Sequence, residues 1–517
     1  MKVAALIMAG GHGERFWPAS RTSAPKQFIG LLPGDRSPFQ ETYERAVSVV
    51  GEENVFVITG VTHAGIALEQ VPSLRPNRIV IEPAGRDTGP CLALGTVSIL
   101  GKSGGNPVIV ALPSDHYVPD LPSFKKTMDR MIEVAAGTGY IVTAGIQPTR
   151  PETAYGYMRA GAPLKSVGAP PVYPVYEVTQ FIEKPTHDKA LLLSSAGGWY
   201  WNGGILCYKA SDFLDAYEAT LPGDIAPLRS LLSVFKSNPN PEIHLYTSAF
   251  SRLTRISVDL GVMEKWTQVA TVPADFPWDD LGSWSALERL YGNDDQENTI
   301  AGEAILVDSH NCTLVSEAAL GVPVPLGQPR TLVAFGLSDT LVVDAKGVVL
   351  VCPKSRSAEL KDLVRELSKL GRKDLIDGPE DPACQSRSAV SATLTTDREI
   401  RASCHGLFAG VQTPKPWGGE TLWVKTDRFA GKIIYIRGGE SLSLQYHERK
   451  SEAMACLSGY GFFSSNGTKK PFAPGDSEVV PPGTVHRIEA ETDLIVLEIS
   501  TPELDDVVRL QDRYGRV

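Results

Sequence analysis

Through the first half of the chain, short β-branched and aliphatic runs alternate with longer stretches whose apolar residues recur every three or four positions. The runs VAALIMA (3–9), NVFVITG (54–60), RIVIEP (78–83), PVIVALPSD (107–115) and YIVTAG (140–145) predict strands. Helical patterns lie between them. In SPFQETYERAVSVV, Ser37 suits the N-cap, Pro38 the first turn and Gln40 the return bond of a capping box. Repeated strand-helix-strand units predict an α/β domain with a mostly parallel sheet covered on both faces. Ligands then belong in the crevice beyond the carboxyl ends of the strands.

The pattern changes near residue 296. Residues 296–372 read as a short β-rich extension, including TLVAFGLSDTLVVDAKGVVLVCP, closed by the helical run SAELKDLVRELSKL. Residues 373–408 are polar and aperiodic, the composition of a linker. From 409 to 517, closely spaced β runs broken by glycines (KIIYIRGG, ESLSLQYH, AMACLSGYGFF, DSEVVPPGTVHRIEA, LIVLEIS) predict a small all-β barrel or sandwich. The 517 residues exceed one core, which agrees with separate units.

Bulk composition narrows the function. Apolar residues at 42% and charged residues at 21% describe a soluble globular protein, and no apolar run is long enough for a membrane span. The net charge of -10 gives no general attraction to nucleic acid or membrane, so any phosphate chemistry needs locally gathered cations. Seven scattered cysteines without a CxxC pair suit a reduced, cytoplasmic setting.

Such a gathering follows the first strand. In GGHGERFWPASRTSAPKQF (10–28), Gly10, Gly11 and Gly13 let backbone N–H groups approach phosphate, and Arg15, Arg21 and Lys26 add positive charge. A glycine loop alone is more often a plain turn, and this one matches neither GxxxxGK[ST] nor GxGxxG. Asp115 ends the fourth strand, where a carboxylate would face the crevice. The bland alternative is a helix or turn cap.

The string GGHGERFWPASRTSAPKQF resembles the signature of mannose-1-phosphate guanylyltransferases, within the sugar-nucleotidyltransferase family. EPAGRDTGP (82–90), LPSDHYV (112–118), GIQPTRPETAYGYM (145–158), FIEKP (181–185), WNGGIL (201–206), SVDLGVMEK (257–265) and WDDLGSW (278–284) continue the likeness in order. The resemblance implies a Rossmann-like nucleotidyltransferase domain over residues 1–295. It also implies formation of GDP-mannose and pyrophosphate from GTP and mannose 1-phosphate. Arg15, Arg21 and Lys26 would then contact the triphosphate and Asp115 and Asp280 would hold Mg²⁺, with Asp279 the adjacent alternative. Glu183, Lys184 and Asn202 would bind the sugar phosphate. Gly203 stands where the family more often has serine.

In the C-terminal segment, Gln445, His447, Glu452 and His486 follow the spacing of the two metal motifs of cupin barrels. Residues two apart on a strand share a face, and this N/O set suits Zn²⁺ or another divalent metal. The bland alternative is a pair of satisfied buried histidines. PWGGETLW, SLSLQYH, PPGTVHR and DDVVRLQDRYGR resemble the type II phosphomannose isomerase domain, which implies mannose 6-phosphate and fructose 6-phosphate as further ligands. The family's QxHHHRxEHW reads QYHERKSEAM here, with Glu448, Arg449, Ala453 and Met454 as departures. Those departures remove candidate acid/base groups and leave the ligands, so the expectation is a bound metal and a weakened or altered isomerase.

Two other readings stand beside this one: transfer involving another base or sugar, and a sugar-nucleotide-binding regulator without turnover. Both Asp115 and Asp280 would be superfluous in the latter. A homo-oligomer is compatible with the sequence and not fixed by it.

Overall fold

The computed structural model describes residues 2–11, 13–34, 36–164, 174–320, 331–377, 411–426 and 428–515. His12 and most of the expected linker, from 378 onward, lie outside the described residues. Two compact units emerge, residues 1–380 and 381–517. No helix among the described residues is long and apolar enough to cross a membrane.

The first unit is built on a nine-stranded sheet: β1 (Val3–Met8), β2 (Val55–Gly60), β3 (Ile79–Glu82), β4 (Val108–Pro113), β5 (Ile141–Ile146), β6 (Tyr157–Pro163), β7 (Tyr176–Ile182), β8 (Trp199–Lys209) and β9 (Val269–Pro273). Their order is β3-β2-β1-β4-β8-β5-β9-β7-β6. The first four run parallel, as the strand-helix alternation predicts. Beyond β4 the sheet is mixed, because β8 inserts antiparallel to both β4 and β5.

The strands are apolar on both faces. Along β1, Ala5 and Ile7 enter one core while Ala4 and Leu6 enter the other; Val108, Val110 and Leu112 alternate in the same way with Ile109 and Ala111 along β4. That period of two is why both faces need helical cover. The helices Pro38–Val50 and Leu121–Gly137 cover one face, and Thr88–Ser103 and Ile225–Ser237 the other. Ser37 and Gln40 form the expected capping box, with bonds of 3.2 and 3.0 Å.

The extension stacks parallel rungs and ends in an antiparallel hairpin of Thr340–Ala345 with Val348–Pro353. Thr299–Ala301, Thr313–Val315 and Thr340–Ala345 pair in parallel, and Ala304–Val307 pairs with Leu332–Phe335 alongside. Its closing helix, Leu360–Lys369, brings Leu360 and Val364 into a core shared with Phe16, Trp17, Ile29, Leu281 and Trp284. Trp17 Nε1 donates to the Leu375 carbonyl at 2.8 Å, and Gly30 N to the Leu320 carbonyl at 3.1 Å. The extension thus packs against the glycine-rich loop that begins the chain.

The second unit is an all-β sandwich of a six-stranded and a five-stranded sheet, antiparallel throughout. Ile434, Ile436, Met454 and Cys456 from one sheet meet Phe463, Phe472 and Ile488 from the other.

Leu360 is only 3% exposed. Leu360→Ala should cost about 2–4 kcal/mol in urea unfolding. Amide exchange across residues 13–29 should rise with it; destabilisation that leaves that exchange unchanged would show that the extension does not hold the loop.

Candidate active site and metal centre

The glycine-rich loop leaves β1 and folds back on itself. Gly13 has φ 61°, and a Cβ there would lie 2.7 Å from Lys26 N, so only glycine permits the approach. Gln27 Nε2 donates to the Gly10 carbonyl at 3.1 Å and Ser20 Oγ to the Gly13 carbonyl at 2.7 Å, which closes the loop. Arg15 is exposed on the 3-10 turn Glu14–Phe16, without an ion-pair partner among the described residues.

Lys26 points to the crevice. Its ammonium lies 2.8 Å from Asp115 Oδ2 and donates to the carbonyls of Asp280 at 3.1 Å and Leu281 at 3.0 Å. Asp115 follows β4, and Asp280 is drawn beside it by a backbone bridge: Tyr117 N to Asp279 O at 2.8 Å and Asp279 N to Tyr117 O at 3.1 Å. Burial alone would raise the Asp115 carboxyl, but Lys26 and His116 outweigh it and hold it below the usual range. Lys26, Asp115 and Asp280 are therefore one cluster. Arg21 does not join them: it is 4% exposed, and burial lowers its pKa despite the charge of Asp374. Spacing along the loop could not reveal that turn inward.

The structure also separates the two neighbouring aspartates. Asp279 is buried and clamped by Arg289, whose Nε and Nη2 donate at 2.5 and 3.0 Å. Asp279 Oδ1 also accepts from Leu281 N at 2.9 Å, holding Leu281 at φ 48°. Asp280 faces the pocket, where Tyr155 donates to its Oδ1 at 2.5 Å. Asp279 shapes the turn and Asp280 is left available.

The pocket beside this cluster is lined by Tyr155, Glu183, Asn202, Asp259, Trp278 and Asp280 among others. Glu183 sits where Gly156 leaves room, since a Cβ at 156 would meet Glu183 Oε2 at 2.6 Å. Lys184 is exposed and paired with Glu183. Asn202 donates to Asp259 Oδ1 at 2.7 Å and accepts from Thr143 Oγ1 at 2.8 Å. A Cβ at Gly203 would lie 3.0 Å from the Ala144 carbonyl, so glycine relieves crowding there. Asp259 and Tyr155 were not singled out by sequence reasoning, although both lie in motifs that carried the likeness. Burial, with the nearby Glu183 charge, pushes the Asp259 carboxyl up to about 6. Trp278 Nε1 donates to His116 Nδ1 at 3.2 Å, and burial keeps His116 below its ordinary value.

In the second unit, ligand atoms of His447, Glu452 and His486 lie within 4.8 Å of one another, all buried. His447 Nδ1 bonds to the Asp506 carbonyl at 2.8 Å and His486 Nδ1 to the Thr484 carbonyl at 3.0 Å. A carbonyl only accepts, so both Nδ1 atoms carry hydrogen and a neutral ring offers its Nε2 lone pair. His486 Nε2 lies 2.8 Å from Glu452 Oε1 and His447 Nε2 lies 3.6 Å from Glu452 Oε2, so the ligand atoms converge on one buried point. Two imidazole nitrogens and a carboxylate oxygen gathered at one buried point are a donor set that fits a divalent cation. Gln445 is register-paired with His486, but its amide oxygen accepts from Ser443 Oγ at 2.7 Å. Lys450 was not foreseen: buried, it donates to Glu452 Oε2 at 2.5 Å and Glu498 Oε1 at 2.6 Å. Burial opposes its charge, yet the two carboxylates raise its pKa above the ordinary value.

A glycine loop carrying Lys26, Asp115 just after a strand with Asp280 in a neighbouring loop, and a polar pocket are the features expected of a group-transfer site for phosphorylated ligands. Residues 4–297 match the Nucleotidyl transferase family, and residues 408–512 match the Mannose-6-phosphate isomerase C-terminal family. The mannose-1-phosphate guanylyltransferase of Klebsiella pneumoniae is 31% identical over 99% of both chains. The Xanthan biosynthesis protein XanB of Xanthomonas campestris is 30% identical over 99% of this chain and 98% of its own. A crystal structure from Thermus thermophilus, described as a mannose-1-phosphate geranyltransferase, covers 71% of this chain and all of its own at 32% identity, with a TM-score of 0.61. The chain is thus a nucleotidyltransferase. It belongs to the mannose-1-phosphate guanylyltransferase family.

Asp279→Asn should cost about 2–3 kcal/mol in unfolding, because Arg289 loses its partner. Asp280→Asn should leave stability within about 1 kcal/mol and cut nucleotidyl transfer by orders of magnitude. The reverse pattern would exchange the roles.

Proposed function

We propose that the chain forms GDP-mannose and pyrophosphate from GTP and mannose 1-phosphate. The convergence of Lys26, Asp115 and Asp280 carries this reading, since charge crowds at a phosphorus under attack. The N–H groups around Gly10, Gly11 and Gly13, with Arg15 beside them, hold the outer phosphates. Lys26 neutralises the reacting group. Glu183 accepts from a sugar hydroxyl, Lys184 leaves Glu183 for the sugar phosphate, and Asn202 with Asp259 fixes the sugar's orientation. An oxygen of the sugar phosphate attacks the α-phosphorus while pyrophosphate leaves in line. Asp115 and Asp280 would hold Mg²⁺, for which hard carboxylate oxygens are suited; when bound it supplies further charge neutralisation at the phosphates.

Arg21, which the resemblance implies contacts the triphosphate, lies apart from the cluster of Lys26, Asp115 and Asp280. It is buried, and its Nε and Nη1 make no hydrogen bond. For the second unit, His447, Glu452 and His486 are the metal ligands. Gln445 joins them only if Ser443 releases its amide oxygen. Glu448 and Arg449 are exposed in the turn after the strand Leu444–His447, so these departures leave the ligand set intact. That observation keeps mannose-6-phosphate isomerase, of weakened turnover, as a second activity.

A panel of triphosphates and sugar 1-phosphates in a pyrophosphate-release assay should show GTP with mannose 1-phosphate as the best pair. Lys26→Ala should lower that rate by at least about 10²-fold with the fold intact. Preference for another pair, or an active Lys26→Ala protein, would overturn the reading.

Metal analysis of the purified protein should find a divalent ion that His486→Ala loses, with slow conversion of fructose 6-phosphate. Metal retained in that variant would remove the proposed ligand set.

A further inference from the structure

Asp280 is held from two sides, and both holds fall on one oxygen. The Tyr155 hydroxyl donates to Asp280 Oδ1 at 2.5 Å, and the backbone N–H of Gly282 donates to the same atom at 3.1 Å. Two donors use both lone pairs of that oxygen. Asp280 Oδ2 receives no hydrogen bond among the described residues. A Cβ on Gly282 would lie 2.9 Å from it, so glycine leaves its approach open.

Tyr155 is itself fixed. It is 7% exposed, and its ring packs edge-on against Trp201 and Trp278 with centroids 5.1 and 5.2 Å away. Arg150 Nη2 donates to the phenol oxygen at 3.2 Å, so the hydroxyl's own proton is left for Asp280.

We propose that Tyr155 is a positioning residue that leaves Asp280 one oxygen for a cation, and that this restriction favours Mg²⁺ over Ca²⁺. Ca²⁺ takes roughly six to eight oxygens and often both of one carboxylate, whereas Mg²⁺ demands a near-octahedral shell that one oxygen per carboxylate satisfies. A carboxylate free to turn would serve either ion. This inference rests on the reading of Asp280 as a Mg²⁺ ligand in nucleotidyl transfer and deepens it.

The test uses the full-length protein with GTP and no sugar phosphate, so that nothing turns over. Mn²⁺ bound only when GTP is present is followed by electron paramagnetic resonance, which leaves out ions held by the second unit, and Mg²⁺ or Ca²⁺ is added as competitor. Comparing the Ca²⁺-to-Mg²⁺ ratio between wild type and variant cancels the affinity of free GTP for each ion. The wild type should release Mn²⁺ to Mg²⁺ at a concentration about tenfold lower than to Ca²⁺. Tyr155→Phe keeps the ring and loses one hydrogen bond to a charged group, which should narrow that ratio to within about threefold and lower kcat with Mg²⁺ about tenfold, with KM for mannose 1-phosphate changed by less than about threefold. Gly282→Ala, which crowds Oδ2 and leaves Tyr155 in place, should weaken the GTP-dependent Mn²⁺ binding about tenfold. Thermal melting checks that both variants fold.

Equal competition by Mg²⁺ and Ca²⁺ in the wild type, an unchanged ratio in folded Tyr155→Phe, or wild-type Mn²⁺ affinity in Gly282→Ala would each overturn the proposal. Absence of GTP-dependent Mn²⁺ in the wild type would remove the metal reading of Asp280 along with it. Mn²⁺ bound with the expected ratios but no turnover with any triphosphate would instead refute the transferase reading and leave the role of Tyr155 standing.

Discussion

The paired backbone bond between Tyr117 and Asp279 is the constraint on which the first unit's site depends. Asp115 leaves the end of β4, while Asp280 lies in a loop beyond the last strand of the sheet, and no local propensity could bring them together. The bridge does so with two hydrogen bonds, and Arg289 locks the Asp279 side by two more. The ensuing turn holds buried Leu281 in the left-handed region, a conformation that costs about 1 kcal/mol or more for a residue with a Cβ. That cost is offset by burying Leu281 in the core shared with Phe16 and Trp284. The same core supports the backbone of the loop carrying Lys26. The lysine then spans the turn and Asp115, so a structural clamp becomes an electrostatic one.

Local chemistry was legible wherever one short segment contains all the determinants. The capping box at Ser37, the parallel β1–β4 set, and the placement of Asp115 just after a strand each follow from residues close in sequence. The antiparallel insertion of β8 was not legible. WYWNGGILCYK is apolar enough to be central, but hydrophobicity carries no direction, and its neighbours β4 and β5 are chosen by packing of the whole sheet. Arg21 and Arg15 illustrate the same limit within one loop. Both are basic and near glycine, yet the 3-10 turn at Glu14–Phe16 exposes one while the fold-back that buries Phe16 and Trp17 carries the other inward. Asp279 and Asp280 are chemically identical in sequence. They part only through Arg289, a residue on the following helix.

The second unit shows how a motif can keep its candidate ligand residues while its surroundings change. Three backbone N–H groups, of Glu448, Arg449 and Lys450, converge on the Asp506 carboxylate at 3.3, 2.6 and 2.8 Å, and the same residue's carbonyl receives His447 Nδ1. Asp506 thereby fixes the turn and the histidine tautomer at once. Side chains at 448 and 449 can vary toward solvent because the turn is held through its backbone. Lys450 is different, since it is buried between Glu452 and Glu498. With one Glu452 oxygen occupied by this ammonium, the other remains for the point faced by both Nε2 atoms. The carboxylate is thus limited to single-oxygen ligation, and because Glu498 also pairs with the ammonium, Lys450, Glu452 and Glu498 together keep one net negative charge beside that point.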